Sequence, residues 1–473
     1  MYLNQYSIPK GAGEMELVWF LSYFFLLATS SFAGHQEAEQ GLNHSALHLT
    51  LYHVQGHGSP MTSQSPPSFS ELLSHDQARV KHLNSRFTKT RTSGATNSAS
   101  HKSEHLFGPK FISTPLNPGL SIGAGNYYVK IGLGTPPSYY PVLVDTGSSF
   151  SWLQCQPCLG YCHPQVVPYF DPTASSTNKK LSCTTPECNS LKEATLNDPA
   201  CTSANECVYE ASYGDKSFSS GYLSQDSLSL TQSETLPGFV YGCGQDNEGY
   251  FGKSAGLFGL ARNKLSMISQ LSTKYGYAFS YCLPTAKGGS GGSLTIGRDS
   301  LMGSSYKFTP MLTNSRESSL YFLSLSAIAV AGRTLGVTEA EYKAPTIIDS
   351  GTVISRLPMS VYAVLRDEFT KIMSSKHETA PAYSILDTCY KGSLKEMSDV
   401  PEVRMVFQGE AYLTLAPHNI LYDIAEENIT CLAFIGNSAS DGIAIIGNTQ
   451  QQTYSVAYDV TNSRIGFAAG GCS

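Results

Sequence analysis

The chain has 473 residues, with 31 Lys and Arg against 37 Asp and Glu, a net charge of −6, and only 14% charged residues. That length supports two or more domains with sizeable cores, and the acidic balance excludes a protein whose principal role is non-specific nucleic-acid binding. With 41% hydrophobic residues, 42 Gly, 28 Tyr and 21 Phe, the composition excludes a disordered chain and favours a mainly all-β one.

Residues 17–33 form an uncharged apolar run that ends in small residues near Ala33, the pattern of a secretory signal peptide. The run is short for a membrane span, which takes about 20 residues. Its flank is atypical, with Lys10 as the single basic residue and Glu14 and Glu16 beside the core, so a membrane anchor is the alternative. The twelve cysteines are an even number and fit six disulfides formed in an oxidising compartment.

Residues 34–120 hold nine of the twelve His and seven Lys or Arg against five Asp or Glu, so the remainder is clearly acidic. Within them, Ser74 to Leu83 predicts a basic helix opened by a Ser cap, set among Ser-Pro and Thr-Ser-Gly linker sequence. Such a segment is either a solvated tail or a partly disordered propeptide, a basic strap lying on an acidic domain and closing its site. The basic residues from Arg79 to Arg91 are too sparse to make a nucleic-acid patch compelling.

From residue 121 the texture changes. Asn126 to Gly134 predicts a strand closed by the turn Thr135-Pro136-Pro137, and Pro141 to Val144 predicts a second strand running into Asp145-Thr146-Gly147-Ser148-Ser149. One such turn is weak evidence, but it recurs 204 residues later, where Thr346-Ile347-Ile348 runs into Asp349-Ser350-Gly351-Thr352. The Cys-dense stretch Cys155, Cys158, Cys162, Cys183, Cys188, Cys201 and Cys207 follows the first turn. Cys155, Cys158, Cys162 and His163 also admit a zinc-knuckle reading, but no second pair stands at zinc spacing, so disulfides and no metal are expected. Val208 to Asp215 and Ser219 to Ser224 predict a hairpin. Leu257-Phe258-Gly259 after the first turn matches Ile445-Ile446-Gly447 after the second. Leu320 to Val330 predicts a strand run and Ser360 to Ile372 a helix. The order strand, Asp turn, long connection, apolar-apolar-Gly occurs twice, which implies a duplicated, two-lobed protein with one Asp from each lobe meeting at the interface.

At these residues the chain resembles a pepsin-like aspartic protease over about residues 123–473, and its Cys155-Gln156-Pro157-Cys158 insertion resembles the nepenthesin-like plant branch. The resemblance implies a bilobal, mainly all-β fold with few short helices around a central cleft. It also implies a signal peptide over 1–33, a propeptide over 34–120, an N-terminal lobe with the Cys-rich insertion over 121–305 and a C-terminal lobe over 306–473. Asp145 and Asp349 would be the catalytic pair, with Ser148 and Thr352 as their outer hydrogen-bond partners and Thr146 and Ser350 in support. Tyr213 would be the flap tyrosine bonded by Trp152, and Gly147, Gly351 and Thr352 would line the substrate. The implied disulfides are Cys155–Cys158, Cys162–Cys243, Cys183–Cys207, Cys188–Cys201, Cys282–Cys472 and Cys389–Cys431. Ser350 stands where many members carry Thr, and Lys216 where the branch usually carries Gly.

The expected activity is hydrolysis of peptide bonds in proteins at acidic pH, by a water activated between two carboxylates that share a proton, with no cofactor or metal. The expected partners are a protein or peptide substrate and the propeptide, on a monomer. The alternatives are an inactive binding protein of the same architecture, such as a plant inhibitor of glycoside hydrolases, and a chloroplast nucleoid protease that binds DNA. Secretion is expected, with the vacuole or chloroplast as alternatives. Glycosylation is expected at Asn428 in Asn428-Ile429-Thr430, and Asn43-His44-Ser45 is a second sequon. Acidification is expected to release the His-rich propeptide as its His residues gain charge.

Overall fold

The computed structural model describes residues 46–53, 68–88, 127–213, 216–231, 234–285, 292–302, 305–437 and 442–470. The expected signal peptide, Asn43 and five of the nine prosegment His lie outside the described residues. Among the described residues no helix is long and apolar enough to cross a membrane.

Strands dominate, as the composition requires. Strand β1 (Ala46–His53) and helix α1 (Phe69–Thr88) come from the region read as a propeptide, and β2 (Tyr127–Leu133) and β3 (Ser138–Asp145) open the first half. The duplication is legible in the pairing. In the first half, β3 lies parallel to Gly256–Gly259, which runs antiparallel to Trp152–Gln154, itself parallel to Thr235–Glu248. In the second half, Thr346–Ile348 lies parallel to Ala444–Ile446, which runs antiparallel to Ser355–Leu357, itself parallel to Phe434–Gly436. Gly256–Gly259, Thr346–Ile348 and Ala444–Ile446 are buried along their whole length, which is why they read as apolar runs rather than as alternation.

One sheet is shared by both halves. Ala278–Cys282 of the first half pairs with Tyr454–Asp459 of the second. Into this sheet β1 inserts as an interior strand, antiparallel to Gly292–Gly297 on one side and to the start of β2 on the other. Its alternation puts Leu47, Leu49 and Leu51 into the core. His53 closes the strand, buried edge-on against Tyr127, and burial lowers its imidazole to about 4.

Three expectations change. The helix is capped at Ser68, six residues before Ser74, because Ser68 and Glu71 form a reciprocal capping box: Ser68 N–H donates to the Glu71 carboxylate at 2.9 Å and Glu71 N–H to Ser68 Oγ at 3.3 Å. The Leu320 to Val330 run is two strands, Phe322–Leu323 and Leu325–Val330, which leave for different sheets. Four of the disulfides are exchanged in pairs: Cys155 bonds Cys243 and Cys158 bonds Cys162, while Cys183 bonds Cys201 and Cys188 bonds Cys207. Strand register decides the first exchange. Leu153 lies opposite Cys243 in a parallel pair, which carries Cys155 to a Cα–Cα distance of 5.3 Å from Cys243. The second follows from Cys188, buried on the helix Pro186–Thr195, which packs against the strand that Cys207 opens. Cys389–Cys431 is as expected, and Cys282 is also disulfide-bonded. The zinc reading fails with these bonds: His163 is buried, its Nε2 lies 2.9 Å from the Ser254 carbonyl, and no metal-holding group occurs among the described residues.

Candidate active site

Each Asp turn is delivered by a buried strand and locked by the parallel strand beside it. Leu260 N–H donates to the Asp145 carbonyl at 2.8 Å, and Asp349 N–H donates to the Ile446 carbonyl at 3.1 Å. The two turns then grip each other across the lobes: Ser350 N–H donates to Thr146 Oγ1 at 2.9 Å, and Thr146 N–H to Ser350 Oγ at 3.2 Å. This reciprocal bond requires only a hydroxyl, so Ser350 serves in place of Thr. Behind the second turn, Asn448 Nδ2 donates to the Ser350 carbonyl at 2.9 Å and Gln451 Nε2 to the Asp349 carbonyl at 3.2 Å. Sequence reading missed these two amides, although Asn448 directly follows the second apolar-apolar-Gly element.

Asp145 and Asp349 are both fully buried and point at one cation, Arg79 of α1. Arg79 Nη2 lies 2.7 Å from Asp145 Oδ1 and 3.0 Å from Asp349 Oδ1; Nη1 reaches Asp145 Oδ2 at 3.2 Å and Nε reaches Asp349 Oδ2 at 3.0 Å. Gly147 N–H donates to Asp145 at 2.9 Å and Gly351 N–H to Asp349 at 3.1 Å. Both glycines are needed for clearance: a Cβ on Gly147 would meet Arg79 Nη2 at 2.3 Å and Asp349 Oδ1 at 2.8 Å, and one on Gly351 would meet Asp145 Oδ1 at 2.6 Å. Thr352 Oγ1 donates to Asp349 Oδ2 at 2.6 Å, as expected for an outer partner. Ser148 does not do the same for Asp145; its Oγ is buried without a hydrogen-bond partner, and Asp145 Oδ2 instead takes Nη1 of Arg79.

The electrostatics are those of a pair pulled apart. Burial raises the Asp145 carboxyl, Arg79 opposes it, and the like charge of Asp349 adds to it, leaving Asp145 above its ordinary value. Burial also raises Asp349, but the charge and hydrogen bonds of Arg79, with those of Thr352 and Gly351, outweigh it and leave that carboxyl lowered. For Arg79 burial acts downward, and the two carboxylates more than reverse it.

The expected hairpin is present: Tyr213 directly follows the strand Cys207–Ser212, whose partner is Phe218–Ser229, and Trp152 Nε1 donates to its hydroxyl at 2.8 Å. The turn closes through Tyr213 N–H to the Ser217 carbonyl at 2.8 Å and Lys216 N–H to the Tyr213 carbonyl at 3.1 Å. Lys216 sits at φ +72°, a left-handed conformation that costs an L residue about 1–2 kcal/mol. Lys216→Gly is therefore expected to stabilise the chain by about 1 kcal/mol, read as a higher urea midpoint at unchanged slope. Asn428 is exposed in the turn between Leu421–Ile424 and Ile429–Leu432.

Helix α1 lies along the cleft on an apolar stripe. Phe69, Leu72 and Leu73 pack with residues such as Ile354 and Ile424, while Val80, Leu83 and Phe87 pack with Leu320, Phe322 and Ile445. Phe69 stacks on Tyr422 with centroids 3.9 Å apart. Arg86 binds Glu317 at 2.7 Å and reaches the Gly147 carbonyl at 3.3 Å. Asp76 and Arg79 sit within this stripe, where charges are otherwise absent.

Comparison with known proteins agrees with this geometry. Residues 127–298 match a family model described as xylanase inhibitor N-terminal, and residues 320–469 match its C-terminal counterpart. An aspartyl protease family protein of Arabidopsis thaliana is 40% identical over 430 residues, 91% of this chain and 88% of the relative. Aspartic proteinase nepenthesin-2 of Nepenthes gracilis is 34% identical over 359 residues, covering 74% of this chain and 78% of the relative. The crystal structure of basic 7S globulin from soybean has the same fold, with a TM-score of 0.58 at 19% identity over 74% of this chain and 94% of that one.

Proposed function

Because the chain belongs to the pepsin-like aspartic protease family, we propose that it is an endopeptidase that cleaves proteins at acidic pH, with Asp145 and Asp349 as the catalytic pair and α1 as a built-in inhibitor. One observation carries this reading: carboxylates from two turns 204 residues apart converge on one guanidinium inside a closed cleft. A site that surrounds a planar cation with carboxylate oxygens has the room and polarity to hold a peptide carbonyl and a water instead.

Once Arg79 withdraws, the two buried carboxyls cannot both stay ionised, and they share a proton. The ionised member takes a proton from a water held between them while the protonated member polarises the scissile carbonyl. Attack gives a tetrahedral diol with no acyl-enzyme. Gly147 and Gly351 N–H hold the inner oxygens and Thr352 an outer one, so the pair keeps its orientation as the proton moves. Tyr213 closes over the peptide and sheds water. The five described disulfides support an oxidising compartment, and secretion is the proposal that follows.

Acid opens the latent form. Arg79 pulls the proton affinity of both carboxyls down; burial still leaves Asp145 above its ordinary value, and Asp349 lies below its own. The Asp349 share of the docked state's stability is complete above the ordinary carboxylate value and is lost as the pH falls through its lowered, docked value. His53 acts in the same direction. Its folded value of about 4 lies below the ordinary 6.5, so β1 loses stability as the pH falls from about 6.5 toward 4. Incubated with a denatured protein between pH 3 and 6, the full chain is expected to stay silent at the upper end and to process itself and cleave from about pH 5 downward. Pepstatin should block that cleavage, and His53→Gln should move its onset to lower pH. Cleavage that pepstatin leaves untouched, or none at any pH, rejects the reading.

A further inference from the structure

The contacts of Asp76 have no part in closing the catalytic pair, yet they are among the most enclosed in the chain. Asp76 and Arg356 are each 1% exposed, and Arg356 Nη2 lies 2.8 Å from Asp76 Oδ2. Val353 N–H donates to Asp76 Oδ1 at 2.6 Å, and Ile354 N–H points to Oδ2 at 3.4 Å. One carboxylate is thus cupped by a guanidinium and two backbone donors, all from the four residues that follow Thr352 in the second catalytic turn.

The cup belongs to the enzyme body and not to α1. Arg356 Nη1 is tied to the Ile354 carbonyl at 2.6 Å, and Gly447 N–H and Gln450 hold Ser355 from behind. Arg356 Nε is buried with no partner of its own. When α1 leaves, the donors stay where they are and lose their anion. A guanidinium in so apolar a setting, beside Ile354 and Ile435, is costly to leave uncompensated.

We propose that Val353, Ile354 and Arg356 form a specificity subsite of the mature enzyme that takes an acidic side chain of the substrate, and that Asp76 fills it in the latent chain as a substrate mimic. This rests on the protease reading above. Asp76 stands three residues before Arg79 on the same helix face, about 4.5 Å along the axis, so the matching side chain belongs to a residue close to the scissile bond. The selected group is a carboxylate rather than an amide: the cup offers only donors, and an Asn amide would turn donors of its own toward one of them.

The test uses the acid-activated full chain and a set of quenched peptides in which Asp is scanned across the positions flanking one cleavable bond, each matched by an Asn peptide. At pH 5 one Asp position should be cleaved at least about tenfold faster than its Asn match, and the ratio should fall toward one near pH 3, where the substrate carboxyl is protonated. Arg356→Gln should reduce that ratio to within twofold while leaving the Asn peptide within a few-fold of wild type, and Arg356→Lys should restore part of it. Equal cleavage of every pair by the wild-type protein overturns this inference and leaves the protease reading standing. So does a ratio that Arg356→Gln leaves unchanged, or a variant that loses both peptides equally. If Arg356→Gln does not fold, the wild-type Asp-to-Asn ratio and its decline with acid decide the matter. A wild-type chain that cleaves neither series overturns the protease reading and this inference together.

Discussion

Asp349→Asn is expected to lower peptide cleavage by at least about 10³-fold while the chain folds as before. The amide has the shape of the carboxylate it replaces. Its oxygen can keep the bond from Gly351 N–H, now 3.1 Å long, and its nitrogen can face Thr352 Oγ1, now 2.6 Å away, because a hydroxyl rotates from donor to acceptor; the bond from Arg79 Nε is the one lost at that atom. What is lost is the second carboxyl: Asp145 alone cannot both take the water proton and polarise the scissile carbonyl as an acid. Turnover of a peptide at pH 4 beside a thermal melt separates the two effects. A variant with full turnover removes the catalytic role of Asp349. A wild-type chain that folds but never turns over would favour a binding protein of the same architecture.

Arg79→Met should convert a latent chain into an open one. Met keeps the length and adds apolar surface to the stripe, but it leaves two carboxylates buried with no counter-charge. Breaking a buried charge pair from one side costs about 3–5 kcal/mol, which raises the open fraction by about 10²- to 5 × 10³-fold. The variant should therefore cut peptides at pH 6 on first mixing, where the wild type is silent, and its melting transition should fall at pH 7 more than at pH 4. Arg79→Lys should stay mainly latent, because one ammonium still meets the charge but cannot span both carboxylates with four bonds. Equal silence of Arg79→Met and wild type at pH 6 would mean that α1 is held by its apolar contacts alone.

The Asp turns, the flap and the duplication could be read from the sequence because each is local: a strand that must end, a Gly that must clear a neighbour, a repeat of both. The disulfide exchange could not, since it depends on which residue of Thr235–Glu248 faces Leu153, and register is a tertiary property. Arg79 was missed for a different reason. The sequence supports a basic strap closing the site but names no residue for the contact, and the stripe of α1 runs Phe69, Leu72, Leu73, Asp76, Arg79, Val80, Leu83, Phe87. Written at 3.6-residue spacing, that pattern has two charges on an apolar face. An acid and a base that a helix carries into a core need partners there: Arg356 meets Asp76, and the two Asp turns meet Arg79. Ser148 failed as an outer partner because the expectation described an empty cleft, and here the guanidinium supplies that bond.

Strand β1 has a further consequence. It is not laid over a finished sheet but wedged inside one, between Gly292–Gly297 and Tyr127–Leu133. If residues N-terminal to Tyr127 are cut away, two rows of amides lose their mates at once, and some other length of backbone has to slide into the gap or the seam stays raw. The ripened enzyme would then be a survivor rather than an equilibrium product: unfolded in urea after trimming, it should fail to regain activity, while the untrimmed chain recovers. The instructions for assembling the molecule would reside partly in a stretch that it discards.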